Sequence, residues 1–322
     1  MDRIARRRLC AAALGGAALA ALPARPQSVV RLVVAGSPGS TLDQYARRLA
    51  EPIGRRLGLT LVVDNRSGAD GLLALEAAAQ ARADGRTLLL AGLNALCIAP
   101  GLDTRRALDP RRAFAPVSLV AAGYPLLLAR ASLPAATLGG LFALGRSRAD
   151  PLRCGAPALA SLQHLAAREV AQRGGLALNH VAYAAQSQVI NDLVGGHIDL
   201  TVEFPGPTVA LVQAKRLQAL AVLGPTRKPA LPELATAAEQ GEAGLEAGGW
   251  AALLAPAGLP RHEALRWDAA LQAALDEPAL VGWMAANGSE RLPAGPDALA
   301  TLLDTELVRW GRLAAAAGLR RS

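Results

Sequence analysis

From residue 29 onward the chain alternates short β-branched runs, glycine-bearing loops and helical-period segments, and this rhythm restricts it to α/β architectures built on parallel strands. Val29-Val30-Arg31-Leu32-Val33-Val34 is apolar, β-branched and closed by a Gly/Ser/Pro turn, which predicts a buried strand. After the loop Gly36-Ser37-Pro38-Gly39-Ser40-Thr41, residues Leu42, Tyr45, Ala46, Leu49, Ile53 and Leu57 fall at helical spacing and stop at Gly58, a residue suited to a helix C-terminus. Thr60-Leu61-Val62-Val63 supplies the next strand. The unit is therefore β-loop-α-β, the crossover that parallel strands require.

The same rhythm continues with a Gly-bearing loop at 66–71, a helix over 72–81, a turn at Asp84-Gly85 and a strand over 87–91. Strands are predicted at 117–121 and 126–129, with a helix starting around 134–137. A second set of α/β units follows: a strand over 152–155, a helix over 161–172 and a strand over 176–181. Runs at 198–202 and 217–223 complete it, and from about 225 the chain carries helices able to pack back on the first part. The reading is a two-lobed α/β fold: residues 25–125 form lobe 1, 126–224 form lobe 2, and 225–322 return to lobe 1. A segment that leaves one lobe and comes back creates two hinge crossings and a cleft. Ligands of open α/β sheets sit beyond the carboxyl ends of strands, which directs attention to the loops after Val34, Leu90, Arg153 and Val181.

Composition narrows the function classes. With 52% hydrophobic and 19% charged residues, a chain of 322 can bury a sizeable core and is not disordered. Aromatics make up only 3%, too few for a base-stacking surface, so the net charge of +8 does not signal nucleic acid. Much of that charge lies at the ends, in Arg3, Arg6, Arg7, Arg8, Arg320 and Arg321. The N-terminus itself reads as an export signal over 1–24, with a basic start, an apolar stretch and small residues at Ala18-Leu19-Ala20 or Pro23-Ala24 for cleavage. The expected destination is the periplasm, by the Sec route or, given Arg6-Arg7-Arg8-Leu9, the twin-arginine route. Cys10 leaves with the signal. Cys97 and Cys154 then either form one disulfide or remain as two small buried thiols.

The loop 37–41 permits two chemistries. Ala35-Gly36-Ser37-Pro38-Gly39 approximates the nucleophile elbow of a serine hydrolase, but the residue after that nucleophile must donate its N–H to the oxyanion hole and Pro38 has none. The same Gly/Ser/Thr-rich turn, feeding a helix N-terminus, offers N–H groups, hydroxyls and the positive end of the helix dipole to an anion such as a carboxylate. An ordinary helix cap by Ser40 or Thr41 is the plainer alternative. His164, His180, His197 and His262 are scattered without ligand spacing, so neither a metal nor a cofactor is expected. His164, at the start of a helix, could touch a ligand; Asp43 and Glu203 are further cleft candidates, in different lobes and without an acid/base partner.

Taken in order, the segments resemble the Bug-type receptors of tripartite tricarboxylate transporters. The resemblance rests on Val33-Val34 through Pro38-Gly39 to Asp43 and Ala46-Arg47, on Val62-Val63-Asp64-Asn65-Arg66 with Gly68-Ala69 and Gly71, and on Asp84-Gly85 with Thr87-Leu88-Leu89. It continues through Phe114-Ala115-Pro116-Val117, His164-Leu165, His180-Val181 with Tyr183, Asp192-Leu193 with Gly195-Gly196 and Asp199, and Trp250 with Ala255-Pro256-Ala257-Gly258. It implies a Venus-flytrap fold of the type II periplasmic-binding class, and a monomeric receptor that closes on a small organic acid and serves the membrane subunits of a transporter, without catalysis. A ligand-presenting partner of a sensor kinase is the other receptor role open to such a chain.

Carried over position by position, the ligand contacts implied in lobe 1 are Ser37, Gly39, Ser40, Thr41, Asp43 and Asn94. In lobe 2 they are Ser161, Gln163, His164, Tyr183, Ala185, Gln186 and Glu203, the last replacing a usual Asp. The chain departs from the family in lobe 1, where Gly39-Ser40 replaces a diglycine and Ala99-Pro100 an Asn-Pro, and in lobe 2, where Ala156-Pro157-Ala158-Leu159-Ala160 replaces a Gly- and Ser-rich loop and Ala182-Tyr183-Ala184-Ala185 replaces Pro-Tyr-Lys-Gly. They predict a more apolar second-lobe pocket, better suited to a monocarboxylate or aromatic acid than to citrate.

Overall fold

The computed structural model describes residues 28–102, 108–157, 161–206 and 208–316; the expected signal segment with Cys10, residues 158–160 and the arginine tail lie outside it. The chain opens with β1 (Ser28–Val34), α1 (Thr41–Leu57), β2 (Leu59–Asn65), α2 (Leu72–Ala79), β3 (Thr87–Gly92) and β4 (Phe114–Gly123). It crosses to a second sheet through β5 (Leu126–Arg130), α3 (Leu138–Ser147), β6 (Leu152–Ala156), α4 (Leu162–Gly174), β7 (Leu178–Ala182), α5 (Gln186–Gly195), β8 (Leu200–Glu203) and β9 (Leu217–Val222). It returns with β10 (Gly249–Pro256), α6 (Arg261–Leu275), α7 (Pro278–Ala286), β11 (Ser289–Glu290) and α8 (Pro296–Ala316).

One sheet has the order β11-β4-β10-β3-β1-β2 and the other β7-β6-β8-β5-β9. β1 lies parallel to both β2 and β3, as the opening crossover units require, while β10 runs antiparallel between β3 and β4. In the second sheet β6 is parallel to β7 and β8, and β5 is antiparallel to β8 and β9. The returning chain thus contributes more than helices: β10 is an interior strand of the first sheet.

Local sequence explains how the site-bearing elements end where they do. Ser40 caps α1 by accepting from the Asp43 N–H at 3.3 Å, and Gly58 closes the helix with φ 67°. Tyr45, Ala46, Leu49 and Ile53 form the buried stripe of α1 and pack against Val30, Leu32 and Val34 of β1. In the second lobe, Asp199 is buried and receives Arg153 N–H at 2.9 Å and Arg130 Nε at 2.9 Å, pinning β5, β6 and the start of β8 to one another. Burial opposes that charge, but the bonds to Arg153 and Arg130 outweigh it and hold the Asp199 carboxyl down to about 2. Cys97 and Cys154 are both free and buried, so the disulfide alternative is not realised; burial pushes the Cys154 thiol up to about 12. No helix among the described residues is long and apolar enough to cross a membrane.

Candidate ligand-binding site

A cavity of about 460 Å³ lies between the two sheets, a size suited to one small molecule. Its first wall comes from the loops after β1, β2 and β3, its second from those after β6, β7 and β8, and its floor from the hinge-crossing strands β4 and β10. At the hinge, Phe204 rests on glycine: a side chain at Gly249 would place its Cβ 2.6 Å from the Phe204 ring.

The loop 37–41 divides its residues between scaffold and cavity. Ser40 lines the cavity but spends its hydroxyl on the helix cap. Gly39 adopts φ 80°, stands off the wall and donates its N–H to Asp43 Oδ2 at 2.9 Å. Asp43 is buried behind the loop and binds Arg47 Nε at 2.9 Å. Burial works against its charge, yet Arg47, the Gly39 N–H and Asn65 hold its carboxyl below the ordinary value. Asp43 therefore braces the loop and does not face the cavity. Ser37 and Thr41 do face it, and both Ser37 Oγ and Thr41 Oγ1 are buried with no hydrogen-bond partner. Buried hydroxyls are nearly always satisfied, so this pair marks a place for an acceptor-rich group.

Across the cleft, Asn94 and Gln163 meet. Asn94 Nδ2 donates to Gln163 Oε1 at 2.9 Å, and Asn94 Oδ1 accepts the Leu162 N–H at 2.8 Å. Ser161 lines the cavity while capping α4 through the His164 N–H at 3.2 Å. His164 itself is not on the wall; its ring packs edge-on against His180 with centroids 4.4 Å apart. Burial, with His180 and Arg168 nearby, lowers it to about 4, which keeps the ring neutral at physiological pH.

Tyr183, Ala185 and Gln186 complete the second wall. The Tyr183 hydroxyl is committed to Asp192 Oδ2 at 2.7 Å, leaving its ring as the surface offered to a ligand. Gln186 reaches from the wall to Glu203, donating Nε2 to Glu203 Oε2. Glu203 is fully buried behind it, with Oε1 lacking a partner, and burial pushes its carboxyl up to about 8. Thus the structure puts nine of the thirteen sequence-derived candidates on the wall (Ser37, Ser40, Thr41, Asn94, Ser161, Gln163, Tyr183, Ala185 and Gln186), and Gly39, Asp43, His164 and Glu203 behind it.

Residues not singled out as contacts also line the space. Trp250, on β10, presents an Nε1–H that is buried without a partner. Tyr45 and Phe204 add aromatic surface, and Asp70, with φ 60°, also lines the space. A Trp in a chain so poor in aromatics was a usable signal for the first; Tyr45 is indistinguishable by period from the core stripe of α1. Among the described residues the wall has no Lys, Arg or His; what these residues offer an anion is backbone N–H groups, hydroxyls and helix ends.

Two α/β lobes joined by a double crossing and closing on one cavity define a solute-binding protein of the periplasmic type. Comparison with known proteins agrees. The model of the tripartite tricarboxylate transporter family receptor matches residues 45–319. The chain is 32% identical to the UPF0065 protein of the tcbD-tcbE intergenic region of Pseudomonas sp. (strain P51), over 92% of this chain and 87% of that protein. It is 30% identical to BugT of Bordetella pertussis, over 89% of this chain and 88% of BugT. Among solved structures, the periplasmic binding protein BugD superposes with a TM-score of 0.86 at 29% identity, covering 92% of this chain and all (100%) of BugD. A Rhodopseudomonas palustris protein solved with adipate gives 0.86 at 29% identity, covering 91% and 98%. MatC of the same organism, with bound malate, gives 0.82 at 26% identity, covering 89% and 99%. The chain belongs to the tripartite tricarboxylate transporter receptor family and is a ligand-binding receptor.

Proposed function

We propose that this receptor captures a small carboxylated metabolite in the periplasm, seats its carboxylate on the loop 37–41, and delivers it as a monomer to the membrane subunits of a tripartite transporter, without chemical change. The observation that carries the reading is the pair of buried, unpartnered hydroxyls, Ser37 Oγ in the loop before α1 and Thr41 Oγ1 at its first residue, both facing the cavity. Malate and adipate in two relatives support a carboxylate ligand. Against a serine hydrolase stands Ser37 itself: its Oγ touches no base, the described wall has no histidine, and Pro38 cannot donate to an oxyanion. The sequence pattern of residues 1–24 supports export by a signal peptide, through the Sec or twin-arginine route.

A thermal-shift screen of organic acids, sugars, amines and phosphate esters tests this. Stabilisation by carboxylates, lost in the Ser37→Ala/Thr41→Val double variant, is expected. Stabilisation by sugars or amines alone would refute it.

A further inference from the structure

We propose that Glu203 and Gln186 form a proton-controlled selector on the second wall: a protonated Glu203 turns the Gln186 amide so that its NH2 faces the ligand, and an ionised Glu203 reverses it. The inference rests on the carboxylate reading above and adds a pH dependence to it.

Gln186 is the first residue of α5 and lines the cavity, while Glu203 ends β8 behind it with no exposed surface. The side chains meet through Gln186 Nε2 and Glu203 Oε2, and Glu203 Oε1 is buried without a hydrogen-bond partner. An amide has a donating end and an accepting end, so the end not turned to Glu203 is the one left to the cavity. An ionised carboxylate only accepts. It takes the NH2, as in this structure, and leaves Gln186 Oε1 to the ligand, where it repels a carboxylate or carbonyl oxygen. A neutral carboxyl has a proton to place. The Phe204 N–H beside it can only donate, so Gln186 Oε1 is the acceptor at hand, and accepting that proton turns Nε2 toward the cavity. Ala185 gives α5 no side-chain cap, so a ligand oxygen that meets the Gln186 NH2 also meets an uncapped helix end.

Among the described residues no charged group acts on Glu203. Leu126 of β5 lies opposite it, and the titratable side chains on the elements around it are engaged elsewhere. Arg130 of β5 and Arg153 of β6 hold Asp199, Arg173 of α4 holds Glu169, and Asp192 of α5 receives the Tyr183 hydroxyl. His164 of α4 packs on His180, with Arg168 acting on that pair, and Cys154 of β6 is a neutral buried thiol. Burial therefore dominates and raises the Glu203 carboxyl to about 8, which puts the change of state just above neutrality. Since the bound state holds the proton more tightly than the free protein, affinity is constant below about 8 and falls as pH rises above it.

Titration calorimetry from pH 7 to 9.5 with benzoate, succinate and adipate, whose own carboxyls stay ionised throughout, tests this. For whichever binds most tightly, Kd should rise by about tenfold or more across the range. Repeating the titration at pH 9 in buffers of different ionisation enthalpy should count the uptake of about one proton. Glu203→Gln should abolish both the slope and the uptake, which a merely structural role would not do, because loosened packing weakens binding equally at every pH. Gln186→Met should also abolish the slope, while Glu203 still titrates in the unfolding profile. A wild-type Kd that is flat across the range overturns the inference and leaves the carboxylate reading intact, and so does a slope that survives either substitution. Failure of all three acids to bind would instead overturn the carboxylate reading, and this inference with it.

Discussion

Asn94 of the first lobe and Gln163 of the second share a hydrogen bond of 2.9 Å across the cleft, and the same Asn94 side chain receives the Leu162 N–H at 2.8 Å. One side chain therefore joins the lobes through two bonds. Asn94→Ala should cost about 1–3 kcal/mol of stability and leave the lobes freer to part. Calorimetry should record a lower Tm, and small-angle scattering a larger radius of gyration in the ligand-free variant than in wild type.

The hydroxyls of Ser37 and Thr41 should behave in the opposite way. Neither has a partner in the protein, so Ser37→Ala and Thr41→Val remove unsatisfied buried groups, and the ligand-free Tm should hold or rise slightly. Ligand affinity should fall by about 1.5–3 kcal/mol for each, roughly ten- to a hundredfold in Kd, because each loses a hydrogen bond to a charged group. Titration calorimetry on the two single variants separates these effects.

Glu203 should make stability depend on pH. Its carboxyl is raised by burial from the ordinary 4.5 to about 8, so the folded state holds a proton that the unfolded chain releases. The resulting stabilisation is full below about 4.5 and is lost as pH rises through about 8. Denaturant titrations from pH 4 to 9 should show wild type weakening by a few kcal/mol across that window from this group, and Glu203→Gln should flatten this part of the profile.

Asp199 should show the reverse sign. Its carboxyl is depressed from the ordinary 3.8 to about 2 by its arginine partners, so its contribution is present above 3.8 and is lost as pH falls through about 2. Asp199→Asn should destabilise the protein by about 2–4 kcal/mol at neutral pH, since Arg130 and Arg153 lose their common anchor. Urea unfolding measures it.

The contrast between these residues shows what can be read from sequence and what cannot. β1, α1 and β3 are legible because Val29-Val30, the Leu42-to-Leu57 period and the glycine stop at Gly58 encode local geometry. β10 is not, because Gly-Trp-Ala-Ala-Leu-Leu-Ala-Pro is buried on both faces and has no alternation to distinguish strand from helix. The loop 37–41 reads correctly as a turn feeding a helix, but the division of labour within it depends on Arg47 drawing Asp43 away from the cavity. His164 is a similar case. Its place at the head of α4 suggests contact with a ligand, whereas His180, sixteen positions along the chain on β7, captures its ring. The Asn94 contacts span 68 and 69 positions in sequence, and no local pattern announces a meeting of that kind.

A crystal structure of the protein with its tightest-binding organic acid would examine the proposed seat itself. The expected result is a carboxylate within hydrogen-bond distance of both Ser37 Oγ and Thr41 Oγ1, with the Asn94 bond to Leu162 retained. A carboxylate found instead on the Leu162 N–H at the head of α4, with Asn94 displaced and Ser37 still unpartnered, would contradict it.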